Sequence, residues 1–337
     1  MSTPVHYPTT LTAVGEALTW VSRGEAREIG SSAGGRPLWA VSYGKKEPVN
    51  HLADLSSALD GRQPEAFFGK RERPVMLITN AVHGAEMESI AGALNLLRVL
   101  ETGADLKGQD WPELRAAAEE VRLVIVPCVN PDGRARIPHD DPTQWTHDMM
   151  QRFRHGLHKD GNQLGENGCK VPHPRDPRAD GFLAGTFNDL GVNPQHGVFL
   201  SPEVARETHA LLALALEETP DFVLDCHSCG SGPFVIVGGP GLPERVHRRQ
   251  AYLDGAFRRA LRDRLGIHRR WGANWGEDSV LSLDSAYYHL CGALPLIFES
   301  GDGTIEPYRW THTQIVDTYL TVVETVLVVG VREGLRP

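Results

Sequence analysis

Val75-Met-Leu-Ile-Thr-Asn80-Ala-Val-His83-Gly-Ala-Glu86 is the stretch on which the reading of the fold turns. Its first part, Val75–Thr79, is a short apolar run with the length and β-branched content of a buried strand. Helical spacing follows at once: Ile90, Leu94 and Leu97 share one face of a helix predicted to begin near Glu86. His83 and Glu86 therefore stand in the turn where a strand hands over to a helix. Open α/β sheets place their sites at such carboxyl ends of strands.

The same alternation continues in both directions. Pro37–Tyr43, Val121–Val126, Phe222–Leu224, Val235–Val237 and Leu294–Phe298 read as further buried strands. Ser201-Pro202-Glu203 predicts a helix start, with Ser as N-cap and Pro in the first turn, ahead of Val204, Leu211, Leu212 and Leu216. Longer helices are expected over 243–264 and from Thr313 to Val329. Strands alternating with helices predict an α/β fold with a mostly parallel sheet. No repeat or linker divides the chain, so residues 1–337 read as one domain. Residues 131–200 break the pattern with seven prolines and little periodicity, as a long functional loop region does. The histidines there (139, 147, 155, 158, 173 and 196) are irregularly spaced and read as loop or surface residues rather than a metal tract.

Two more polar residues end apolar strands as His83 does. They are His227 in Phe222-Val-Leu-Asp-Cys-His227 and Glu299 in Leu296-Ile-Phe-Glu299. Zinc accepts imidazole nitrogen and carboxylate oxygen, and a catalytic zinc keeps three protein ligands with one position open for water. His83, Glu86 and His227 make that ligand set, and Glu299 is left as a carboxylate able to take a proton from the activated water. Mn, Co or Fe would suit the same donors. Cys226-His-Ser-Cys229 is a CxxC with no second pair, and alternation along a strand sets Cys226 and His227 on opposite faces.

The ordered set resembles the zinc carboxypeptidase family, of the carboxypeptidase A type. Ile29-Gly-Ser-Ser-Ala-Gly-Gly-Arg-Pro-Leu38 is similar to its N-terminal GxSxxGRP segment, His83-Gly-Ala-Glu86 to its paired zinc ligands, and Asn130-Pro-Asp-Gly133 to its NPDG turn. His227-Ser and Phe298-Glu299, 72 residues apart from His227 to Glu299, are similar to its third ligand and its catalytic glutamate. The resemblance spans roughly residues 27–330. It implies an eight-stranded mixed sheet flanked by helices, one zinc ion per chain, and Glu299 as the base that activates the zinc water and returns the proton to the leaving amine. It also implies an oxyanion arginine. Arg154 is the candidate, with Arg152 beside it as a substrate-binding residue and Arg134 and Arg136 as nearer alternatives. Asp225 stands as a supporting group behind His227. Asp132 in the NPDG turn reads as a turn former.

Two departures from the family pattern stand out. The GVDxNR segment becomes Gly191-Val-Asn193-Pro-Gln195-His196, so Asn193 replaces the Asp that orients the first ligand histidine and is expected to accept a hydrogen bond from His83 without the charge. Gln195 and His196 replace an Asn–Arg clamp for the substrate's terminal carboxylate, and a histidine cannot grip a carboxylate bidentately. The family's capping tyrosine also has no counterpart in Arg270–Ser279, although Trp271 and Trp275 lie there. Tyr287 and Tyr288 fall nearer Glu299, on an expected helix.

The net charge of −9 argues against a nucleic-acid partner. The start of the chain lacks a basic stretch followed by an apolar run, and the apolar run Val326–Val329 is too short to span a bilayer. Five scattered cysteines fit a reducing compartment, and a cytoplasmic protein without a membrane partner is expected. Three functions stay open: a metallocarboxypeptidase-like hydrolase of a peptide, a deacylase or amidase of a small N-acyl or cell-wall-derived compound, and a non-catalytic metal-binding protein.

Overall fold

The computed structural model describes residues 3–171, 174–196, 204–239, 241–268, 273–274, 282–302 and 309–334. Among the described residues there are ten strands: β1 (Glu25–Ser31), β2 (Pro37–Tyr43), β3 (Val75–Asn80), β4 (Arg122–Val126), β5 (Leu157–His158), β6 (Asp180–Phe182), β7 (Phe222–Cys229), β8 (Phe234–Val237), β9 (Ala273–Asn274) and β10 (Leu294–Gly301). Eight of them form one sheet in the order β1-β2-β4-β3-β7-β10-β8-β9, and β5 pairs with β6 apart from it. The centre, β4-β3-β7-β10, is parallel. Antiparallel pairing joins β1 to β2, β2 to β4, and β10 to β8. This is the mixed, mostly parallel eight-stranded sheet flanked by helices that the sequence pattern and the family resemblance led us to expect.

The central strands are apolar runs because helices cover both faces. On one side the helices Glu88–Thr102, Glu244–Leu265 and His312–Glu333 bury Met76, Ile78, Leu224, Cys226, Leu296 and Phe298. On the other, Arg206–Glu218 and Leu283–Cys291 bury Leu77, Val124, Val126 and Val223. β1 escapes an apolar-run reading because it is the edge strand, half-exposed and mixed in polarity. The Ser201–Glu203 helix start lies outside the described residues; the helix there runs Arg206–Glu218, after Ala205.

His312–Glu333 starts with a reciprocal cap in which Thr311 and Gln314 satisfy each other's backbone N–H groups. It is long and apolar enough to cross a bilayer by length and composition, with 67% of its apolar window buried. Its apolar character thus extends well beyond Val326–Val329, and here it serves as a core helix. Thr318, Thr321 and Glu324 interrupt the run in sequence, yet all three are buried, and Glu324 pairs with Arg264.

Candidate metal centre

Backbone packing sets the turn that carries His83 and Glu86. After β3 the chain passes through Ala81 at φ +50°, a left-handed conformation unusual for a residue with a Cβ. Ser89 holds it there: its hydroxyl accepts from Ala81 N–H at 2.9 Å and donates to Glu86 O at 3.0 Å. From outside, Asn130 N–H donates to Ala81 O at 3.0 Å. Gly84 lies so close to the NPDG turn that a Cβ on it would stand 2.1 Å from the backbone nitrogen of Arg134. The glycine of His83-Gly-Ala-Glu86 therefore packs against the turn formed by Asn130-Pro-Asp-Gly133, and two motifs far apart in sequence form one contact.

Asp132 anchors that turn. It accepts from Ser32 Oγ at 2.6 Å, Gly34 N–H at 2.7 Å, Arg36 Nη1 at 2.7 Å and Asp189 N–H at 3.1 Å. The Gly-Gly-Arg-Pro segment, the NPDG turn and the 188–189 segment are thus tied together, and Asp132 has the structural role expected of it.

His83, Glu86 and His227 converge. Glu86 faces the Nδ1 atoms of both rings, at 2.9 Å from His83 and 2.8 Å from His227. The donor atoms of the three residues lie within 4.8 Å of one another, the one such group of His, Cys, Asp and Glu among the described residues. β7 alternation sends Asp225 and His227 to the same face, and Asp225 Oδ2 is 3.0 Å from His227 Nε2. Asp225 thereby favours a proton on Nε2, so that Nδ1 is the atom that would bind an ion once it gives up its own proton. Thr79 Oγ1 donates to Asp225 at 2.6 Å, tying β3 to β7 beneath the donors. Burial opposes charge on His227, but the Asp225 and Glu86 carboxylates outweigh it and hold its pKa well above the ordinary value. Burial also works against an ionised Glu86, yet His83 and His227 hold it well below the carboxylate range. Two imidazoles and a carboxylate, each orienting the next in a pocket open on one side, fit a zinc ion with a vacant coordination position.

Glu299 lies on β10 in register with His227 across the parallel β7–β10 ladder. Its Oε2 is buried without a hydrogen-bond partner. Burial pushes it up to about 7; Glu86 and Asp225 add to the shift, while His227 and Arg154 oppose it. Arg154 is 7% exposed and lies against β7, with Nη1 3.0 Å from Ser228 O and from Asp302 Oδ2. Its Nη2 lies 3.1 Å from Ser228 Oγ and 3.4 Å from Glu88 Oε1. Glu88, Ser228 and Asp302 went unread in the sequence. Glu88 looks like an ordinary acid at a helix start, and nothing local announces that it and Asp302 are buried against one arginine.

A cavity of about 370 Å³ opens over the triad, lined among others by His83, Glu86, His227, Glu299, Arg154, Asn193, Gln195 and His196. Residues 131–200 supply one of its walls. Burial, then the neighbouring His83, Lys170 and His227, push His196 down to about 3 and keep its ring neutral. Two expectations need correction. Asn193 does not orient His83: its Nδ2 donates to Cys169 O at 2.9 Å and its Oδ1 accepts from Gln195 N–H at 2.9 Å, so it shapes its own loop. Proline at 194 and the short amide side chain favour this local turn over a long reach. Arg152 does not line the cavity. Its guanidinium lies 5.1 Å from the centre of the Phe182 ring, because neighbours in sequence on a helical turn point in different directions. Arg134 and Arg136 also turn away, to Thr9 O and Ala184 O. Trp271 and Trp275 lie outside the described residues. Tyr287 and Tyr288 are on the helix Leu283–Cys291 as expected.

A sequence profile of the zinc carboxypeptidase family matches residues 22–232. No curated protein sequence matches. Among solved structures, a metallo-carboxypeptidase from Burkholderia cenocepacia aligns at 17% identity with a TM-score of 0.59, covering 94% of this chain and 67% of its own. A metallo-carboxypeptidase from Pseudomonas aeruginosa, in complex with (2-guanidinoethylmercapto)succinic acid, aligns at 18% identity and 0.57, covering 96% and 68%. Thrombin activatable fibrinolysis inhibitor aligns at 16% and 0.61, covering 98% and 80%. At these identities the structural matches speak for the fold, and the profile match over more than half of the chain settles the family. The chain belongs to the zinc carboxypeptidase family.

Proposed function

We propose that this protein is a zinc-dependent hydrolase of a peptide or amide bond, with Glu299 as the proton-transferring group. The convergence of two Nδ1 atoms on Glu86, beside a buried carboxylate with a free oxygen, carries the reading. His83, Glu86 and His227 would hold the ion, which supplies Lewis acidity and lowers the pKa of water. Glu299 sits close to neutrality, where it takes a proton from the attacking water and returns it to the leaving nitrogen. Arg154 lines the cavity with its guanidinium held by Ser228, Glu88 and Asp302, which supports a role for its positive charge in stabilising negative charge that develops on the carbonyl oxygen. Hydrolysis of a small N-acyl compound uses the same groups and differs in the leaving group; Gln195 and His196, in place of an Asn–Arg clamp, favour that second reading. None of the five cysteines is joined in a disulfide, which supports a reducing, cytoplasmic setting.

The test is a Glu299→Gln variant loaded with zinc. It should retain about one zinc per chain by elemental analysis and lose roughly 10²–10⁴-fold in turnover of a blocked dipeptide. Turnover within threefold of the unmodified chain would remove Glu299 from the mechanism. Failure of either protein to retain zinc would remove the metal.

A further inference from the structure

The cavity is unevenly furnished. Besides the donor triad its lining holds Gln195 and His196, and Gln195 leads on to Asp284 through a hydrogen bond. Gln195 is 3% exposed, and its Nε2 donates to Asp284 Oδ2 at 2.6 Å. That bond fixes the amide, and it leaves Gln195 Oε1 buried without a partner. Asp284, 7% exposed, likewise keeps Oδ1 without a partner. Asp284 lines a small side cavity of about 10 Å³ that shares Ile236 and Ile297 with the main one. Gln195 lines the main cavity and Asp284 the side one, and each carries one buried oxygen without a partner. Native proteins leave few such atoms unmet, and a binding site is one reason to do so.

Among the described residues, fixed donors for an anion are scarce beside Gln195 and Asp284. A neutral imidazole at His196 offers one N–H, not the planar fork that holds a carboxylate. Arg154 has both terminal nitrogens committed to Ser228, Glu88 and Asp302, with Nε alone unpartnered. Lys170, the other Lys or Arg among the described residues of the wall, is exposed, and an exposed ammonium holds a carboxylate weakly.

We propose that the part of the cavity beside Gln195 and Asp284 receives a nitrogen hydrogen-bond donor of the substrate, an amide or amine N–H, and disfavours a terminal carboxylate. An N–H brought there satisfies an oxygen that otherwise has no partner. A carboxylate brought there sets its lone pairs against the unpartnered oxygen of Gln195 and meets no fork of donors among the described residues. A site built around one hydrogen-bonding pattern rejects the opposite pattern strongly, because its own buried groups then remain unpaired. The proposal rests on the reading of this cavity as the substrate site.

The test compares benzoylglycyl-phenylalanine with its C-terminal carboxamide, which differ only at the terminal group. Binding of each to the zinc-loaded Glu299→Gln protein is measured by calorimetry, so that the readout does not depend on turnover. The carboxamide should bind at least about tenfold tighter. In a Gln195→Asn/His196→Arg double variant the preference should move toward the acid by about tenfold or more. His196→Arg alone, which leaves the Gln195–Asp284 bond in place, should move it in the same direction and serves if the double variant does not fold. Equal or tighter binding of the acid to the Glu299→Gln protein overturns the proposal, as does binding of neither compound. So does an unchanged ratio in a variant that keeps its circular dichroism and melting temperature. Hydrolysis by the unmodified chain is followed in parallel. Failure to cleave either compound counts against the proposed function, while the binding ratio still decides the subsite.

Discussion

Asp225 shows how much of the site depends on a residue outside the cavity. It is fully buried, holds Nε2 of His227 at 3.0 Å and takes the Thr79 hydroxyl at 2.6 Å. Its charge strengthens the donor power of the imidazole and its position sets the tautomer. Asp225→Asn keeps the volume and an acceptor oxygen but removes the charge and lets the amide turn either way. We expect zinc affinity, measured by competition with a chromophoric chelator, to fall about 10–100-fold with the fold retained. Affinity within threefold of the unmodified chain would mean that Asp225 only packs. Glu299 differs in kind: it holds no neighbour through Oε2 and its pKa is raised, and under the proposed function it is the group that transfers a proton.

At the scale of elements, the turn after β3 and the helical turn Pro131–Arg136 act as one unit. Asn130 caps that helical turn by accepting from Gly133 N–H at 2.8 Å, and Pro131 occupies its first position. Gly133 itself has no room for a Cβ, which would stand 2.1 Å from Gly185 O. Gly84→Ala would drive a methyl group into the backbone at Arg134, where no side chain can swing aside. The expected cost is about 1–3 kcal/mol in urea unfolding, together with weaker zinc binding as His83 is displaced. A variant with unchanged unfolding midpoint and zinc affinity would show that the two turns can separate freely.

Across the whole molecule, Asp132 links the β1–β2 hairpin, the NPDG turn and the 188–189 segment. Burial alone would raise its pKa. The Ser32 hydroxyl, the Asp189 and Gly34 N–H groups and Arg36 outweigh burial and hold it below the ordinary value of 3.8. A depressed carboxylate contributes stability that is present above its unfolded pKa and lost as pH falls through the folded one. The difference in urea midpoint between the unmodified chain and Asp132→Asn should therefore be full at pH 7. It should hold until about pH 4 and shrink below that. A difference that stays constant down to pH 3 would show that the Asp132 charge is not what joins the three segments.

The strand ends were readable directly. His83, His227 and Glu299 each follow an apolar run, and in a parallel sheet the carboxyl ends of neighbouring strands lie side by side, so periodicity in one dimension already implies proximity in three. The α/β class follows for the same reason. Tertiary structure alone decided which way the remaining side chains point. Arg154 faces the cavity while Arg152, two residues earlier, faces the Phe182 ring, and Asn193 bonds within its own loop. Glu88, Asp302 and Asp284 became buried partners only when distant segments met around Arg154 and Gln195. An apolar run carries its burial in its own composition. A loop side chain takes its direction, and a buried carboxylate its partner, from packing between segments that no local pattern encodes.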